Sequence, residues 1–312
     1  MKICIAILFF IFMAVPAMAE DDLKISGVIE VHYRYSHDLY ANEGDDKFLP
    51  EELYLQFEKN IENNIGALIK LDGSDMNNNS ATHKYVEEAQ VIFRNVGNKP
   101  LTLIVGKDEM PFGQDYERFL LSSRTHGLEI DKVWGIHGNY ELKGVGSLAA
   151  AIFEKDAENN EDVGLKDSFT VRAQTSDLLE GLFVEASLAM LGKDASKAED
   201  DEIRLNAGAS FKMAALTFHG EFTLIADYDN SPGRDLAVLQ FGADYRLNEL
   251  LLKARIENSD DDLANQEELR AAVGASYYLS SKTFVALEYE KVSKEGAGMD
   301  SDEILAGGSF KF

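Results

Sequence analysis

The 312-residue sequence holds one cysteine, Cys4, one tryptophan and only five prolines. A single thiol cannot form a disulfide within the chain or build a cysteine-rich metal site. Beyond residue 19, no apolar run approaches the ~20 residues that a membrane helix needs. In a bilayer such a chain must be a closed barrel, because lipid satisfies no exposed backbone group. Basic residues are also scarce. There are 30 Lys and Arg against 55 Asp and Glu, for a formal charge of −25. That balance argues against a nucleic-acid partner, which needs a basic face. No Gly-x-Ser-x-Gly elbow or phosphate loop occurs. The six histidines make no His-x-x-x-His pair of the kind that binds zinc. Asp72-Gly73-Ser74-Asp75 lacks the spaced acids and closing Glu of a calcium loop. No metal or other cofactor is expected.

The first residues have their own logic. Lys2 precedes an apolar run from Ile3 to Val15, then Pro16 and Ala17-Met18-Ala19. This reads as a secretory signal peptide over 1–19, cut before Glu20. Residues 20–312 are then one β domain of 293 residues, without cysteine and with a charge of −26.

What fills that domain is alternation with period two, the mark of strands with one apolar face. Leu23, Ile25, Gly27, Ile29, Val31, Tyr33 and Tyr35 share one face, with Lys24, Ser26, Val28, Glu30, His32 and Arg34 on the other. Leu216, Phe218, Gly220, Phe222 and Leu224 repeat the pattern against Thr217, His219, Glu221 and Thr223. Ile304, Ala306, Gly308, Phe310 and Phe312 close it. About sixteen such segments, of the ~9–11 residues a tilted strand needs, can be laid along the chain. Those near 147–154 and 168–175 are the least regular. The fold class expected is all-β, a transmembrane antiparallel β-barrel of about 16 strands preceded by a signal peptide.

The connections alternate long and short. Long ones fall near 37–50, 72–83, 107–132, 155–167, 191–201, 227–235, 258–267 and 291–302. Outer-membrane barrels have this asymmetry, with short periplasmic turns and longer external loops. Acid gathers in or beside the long connections, at Asp45-Asp46, Glu158 to Asp162, Glu199 to Glu202 and Asp260-Asp261-Asp262. Aromatics gather near strand ends, as barrel girdles do. The expected location is the bacterial outer membrane. The expected partners are outer-membrane lipid, lipopolysaccharide and the barrel-assembly machinery, which favours a terminal aromatic such as Phe312.

One segment, Leu101 to Leu142, has a strand ending in Gly106-Lys107, a Pro111-Phe112-Gly113 turn, a long loop and a further strand. With the preceding Glu87-Glu88-Ala89-Gln90-Val91, it resembles porins of the LbtU siderophore-porin and phosphate-selective-porin groups. The resemblance implies a sixteen-stranded barrel that passes small solutes or helps take up a ferric siderophore. Porins of this size are often trimers, so a homotrimer is expected.

The alternation puts Arg34, Lys70, Glu88, Arg94, Arg204, His219, Glu221, Lys253, Arg255 and Arg270 on the lumen side. Phosphate-selective relatives carry many lysines and arginines there, whereas these inward positions are mixed in sign. The loop near 107–132 carries Lys107, Asp108, Asp115, Glu117, Arg118 and Arg124. It either folds into the lumen as a constriction or forms an external lid. Three functions remain open: a porin, a structural or adhesive barrel without a wide pore, and a barrel-rim enzyme.

Overall fold

The computed structural model describes residues 23–38, 43–73, 86–113, 119, 123–154, 168–175, 179–192, 200–262, 266–295 and 300–312. The expected signal peptide and the acidic run at Glu158 to Asp162 lie outside these residues. Among the described residues there are sixteen strands. They are β1 (Leu23–Asp38), β2 (Glu43–Glu62), β3 (Ile65–Asp72), β4 (Val86–Phe93), β5 (Leu101–Met110), β6 (Ile130–Leu142), β7 (Gly146–Glu154) and β8 (Ser168–Thr175). Then come β9 (Leu182–Leu191), β10 (Glu202–Met213), β11 (Leu216–Ala226), β12 (Leu236–Leu247), β13 (Leu250–Asp261), β14 (Gln266–Ser280), β15 (Thr283–Lys294) and β16 (Ser301–Lys311). Each pairs antiparallel with its sequence neighbours, and β1 pairs with β16, so the sheet is a closed barrel with no free edge.

The seam closes on the terminal aromatic. Gly27 N–H donates to Phe312 O at 3.3 Å, and Phe312 N–H donates back to Gly27 O at 3.1 Å. A Cβ at position 27 would lie 2.5 Å from the Phe312 ring and 2.6 Å from Tyr54 O. Only glycine therefore lets that ring lie across β1, where it also stacks on Phe310 at 6.1 Å between centroids.

One end of the barrel has tight turns. Residues 214–215 and 248–249 join strands in two residues, with Ala214 (φ 53°) and Asn248 (φ 52°) in the left-handed region that tight hairpins use. The other end carries the long connections. There Arg234 packs over the Tyr228 ring, 4.8 Å from its centroid, and reaches Asp261 at 2.6 Å. That hydrogen bond is the main influence raising the Arg234 pKa.

The structure corrects three boundaries. The expected connection at 37–50 is mostly paired strand: Tyr33 pairs with Phe48 and Asp38 with Glu43, leaving four residues between β1 and β2. Asp260 and Asp261 belong to β13 rather than a loop. The segment expected at 107–132 is shorter, because β5 runs to Met110 and β6 starts at Ile130. Apolar alternation stops where strands leave the hydrocarbon layer. Backbone pairing, which needs no apolar side chain, continues past that point.

Candidate functional site in the barrel lumen

Burial is inverted relative to a soluble sheet. On β13, Leu252, Ala254 and Ile256 are exposed while Lys253, Arg255 and Glu257 are buried. β11 and β15 alternate the same way. The exposed apolar face is the one that meets lipid, and the polar face lines the interior.

Most of the interior charges named from the sequence are held in pairs. Arg34 meets Glu303 at 2.7 Å, and Arg94 meets Glu58 at 3.3 Å. Lys70 lies 3.2 Å from Glu87 and 3.3 Å from Glu88, with its ammonium 4.1 Å from the Tyr54 ring centroid. Glu221 accepts from Asn206 Nδ2 at 2.6 Å. His219 is buried against Gly242, where a Cβ would come within 2.0 Å of its Nε2. Lys253 pairs with Glu288 at 2.5 Å and Arg255 with Glu290 at 2.8 Å. Arg270 bridges Glu268, Glu290 (3.5 Å) and Glu257 (3.8 Å). Arg204 pairs with Glu202 at 2.5 Å and also donates to Leu128 O.

That last contact comes from the segment joining β5 to β6, residues 111–129. Its described residues run along the interior wall. Pro111 O accepts from Thr170 of β8 at 2.8 Å, and Gly113 N–H donates to Ser187 of β9 at 3.1 Å. Thr125 Oγ1 donates to Gln240 of β12 at 2.9 Å. Arg124 N–H donates to both carboxylate oxygens of Glu257 on β13, at 2.9 and 3.1 Å. Phe119 lies over Lys253 and Arg255, 4.8 and 4.9 Å from ring centroid to cation. In the ring of sixteen, β13 stands eight strands from β5, which is half the circumference.

Two apolar clusters seat the ends of the segment. Met110, Phe112 and Ile130 pack with Ala151, Phe153, Ala189 and Leu191. Leu128 packs with Ile225, Leu236 and Val238. These wall residues occupy interior positions, so the interior is not uniformly polar as the sequence suggested. Dry contact with the segment takes the place of water there.

The segment's charged residues divide. Asp108 faces inward and meets His137 at 2.8 Å. Lys107 has the outward parity of Leu103 and Val105, pairs with the exposed Trp134, and donates to Val86 O at 2.8 Å. It is therefore not brought to the interior with Asp108 and Arg124. Asp115, Glu117 and Arg118 lie outside the described residues. The sequence reading missed Glu257, Gln240, Ser187 and Thr170 as anchors. A usable signal existed for the apolar seats: Ala189-Met190-Leu191, Leu224-Ile225-Ala226 and Leu236 to Leu239 are apolar on both faces.

A closed sixteen-stranded barrel, apolar outside and polar within, is the architecture of an outer-membrane barrel. A family model described as Gram-negative porin matches residues 5–297, and the chain belongs to that family. Its place is the outer membrane. No curated protein matches the sequence. Among solved structures, the anion-selective porin from Comamonas acidovorans aligns with TM-score 0.72 at 12% identity, covering 93% of this chain and 99% of the porin. The outer membrane channel DcaP of Acinetobacter baumannii gives 0.69 at 13% identity, covering 93% and 97%. The trimer form of OmpT from Vibrio cholerae gives 0.65 at 12% identity, covering 93% and 99%. At such identities the likeness is one of fold.

Proposed function

We propose that the porin passes small hydrophilic solutes by diffusion, and that residues 111–129 form its constriction. The single observation that carries this is the bond from Arg124 N–H to Glu257, half a circumference from where the segment leaves the wall. A strap seated on β8–β13 leaves solutes the remaining lumen, beside β1–β4. There, charged and polar groups replace part of a solute's hydration. The pore-lining set is then Arg34, Lys70, Glu88 and Arg94, with Asp108 on β5 and Arg124 on the strap. Arg204, His219, Glu221, Lys253, Arg255 and Arg270 support the strap's wall. Single-channel conductance in planar bilayers tests this. Deleting Gln114 to Thr125 should raise conductance severalfold, and an unchanged value sinks the constriction.

A second reading, uptake of a ferric siderophore, is favoured by one observation. The segment resembling siderophore porins, Leu101 to Leu142, is the one that carries the strap. Growth on an iron–siderophore complex with and without the gene separates it from general diffusion. A homotrimer is proposed on the precedent of the OmpT trimer form. Cross-linking in detergent, with a monomer as the negative outcome, checks it.

A further inference from the structure

We propose that the open path prefers small cations, and that the β1–β4 wall with Asp108 sets this preference rather than the lumen's total charge. The inference rests on the diffusion reading above.

The interior bases are unequally available to a passing ion. Lys253 and Glu288 are both fully buried, and Arg255 and Glu290 are 2% and 4% exposed. Phe119 lies over both cations. An anion in the path meets neither base without breaking a buried pair. From a distance each pair is a dipole, and its field falls off faster than that of a lone charge. Arg204 is likewise held by Glu202 and Leu128 O. The strap therefore withdraws Lys253, Arg255 and Arg204 from the path, while Arg270, 24% exposed, is held by Glu268 and Glu290.

The opposite wall is arranged differently. Lys70, Glu87 and Glu88 keep 14–22% of their side-chain surface open. Glu30 stands directly across from Glu52 in the β1–β2 register. Glu52 is within electrostatic reach of Glu30, Lys70, Glu87 and Lys311. Glu88 is within reach of Lys70, Glu87 and Asp108. Two lysines, Lys70 and Lys311, thus serve five carboxylates. Toward the strand ends the balance returns, with Arg34 on Glu303 and with Arg94 and Lys24 on Glu58. His32 and His137 touch Glu30 and Asp108. Against Lys70, Lys311 and Arg124 of the strap, the five carboxylates keep the middle band net negative. A narrow, low-dielectric passage focuses such a field and enriches ions of the opposite sign.

The test is the reversal potential of the full-length protein in planar bilayers under a KCl gradient. We expect potassium to be preferred over chloride by roughly three- to tenfold, the scale of a few net charges seen through salt screening. E52Q/E88Q should cut that ratio by about half or more, with E52Q alone intermediate. E267Q, on the outward face of β14, should leave it unchanged. Heat-modifiable migration shows that each variant is folded. A wild-type ratio at or below unity overturns the inference while leaving the diffusion reading intact. So does a ratio that E52Q and E52Q/E88Q leave unaltered. Absence of any channel current overturns the diffusion reading, and this inference with it.

Discussion

On β13, Lys253 and Arg255 lie under an aromatic ring and pair with the buried Glu288 and Glu290 of β15. On β1–β4, Glu30, Lys70, Glu87, Glu88 and Arg94 stay partly open, and acids outnumber bases at mid-height. Both walls come from the same alternation of apolar and polar residues. The strap separates them. Where it lies, side chains behave as a protein core, with dry apolar seats and costly buried charge. Where it does not, they behave as a wetted surface. The same residue types therefore carry different energetic weight on the two walls.

The sharpest way to break this contrast is to remove one buried partner. Lys253→Met leaves Glu288 buried without its cation, and should cost about 3–5 kcal/mol. The matching change on the open wall, Lys70→Met, should cost less, about 1 kcal/mol, because water in the lumen screens the carboxylates left behind. Urea unfolding in detergent compares the two. Equal losses would show that the walls do not differ. Phe153→Ala empties the seat shared by Met110, Phe112 and Ile130, and should cost about 3–5 kcal/mol. It should also make the single-channel current noisier as the strap loosens. A quiet trace would mean that the polar anchors alone hold the strap. Glu257→Gln weakens the anchor of Arg124 N–H by roughly 1–2 kcal/mol, since bonds to charged groups are the stronger ones. A small rise in conductance without loss of the barrel is the expected readout. Charge-removing changes on the open wall should move selectivity with little loss of stability.

Much of the molecule was legible in its residues. Period-two alternation gave the strands, including the weak ones now seen as β7 and β8. The sorting of long and short connections gave the closed up-and-down order. Phe312, last of the apolar set that starts at Ile304, closes on Gly27 of the first strand. Strand ends were less legible. Asp260 and Asp261 look like loop, yet their backbone pairs with Glu267 and Gln266. Lys107 looks like part of the loop, but its parity turns it outward. Glu257 gave no sign of its role. It is one glutamate among many until a segment 133 residues earlier in the chain reaches it.

The sequence by itself determined that the chain is a barrel and which face of each strand meets lipid. Those properties follow from local periodicity and from the rule that lipid tolerates no unpaired backbone. It could not determine which interior charges a solute meets. That depends on where the strap lands, and the landing is decided by contacts between residues far apart in the chain. Only the tertiary structure brings Phe119 over Lys253 and Arg255 while leaving Lys70 among its carboxylates. Interior charge was legible as a list, but its availability to a passing ion was set by folding.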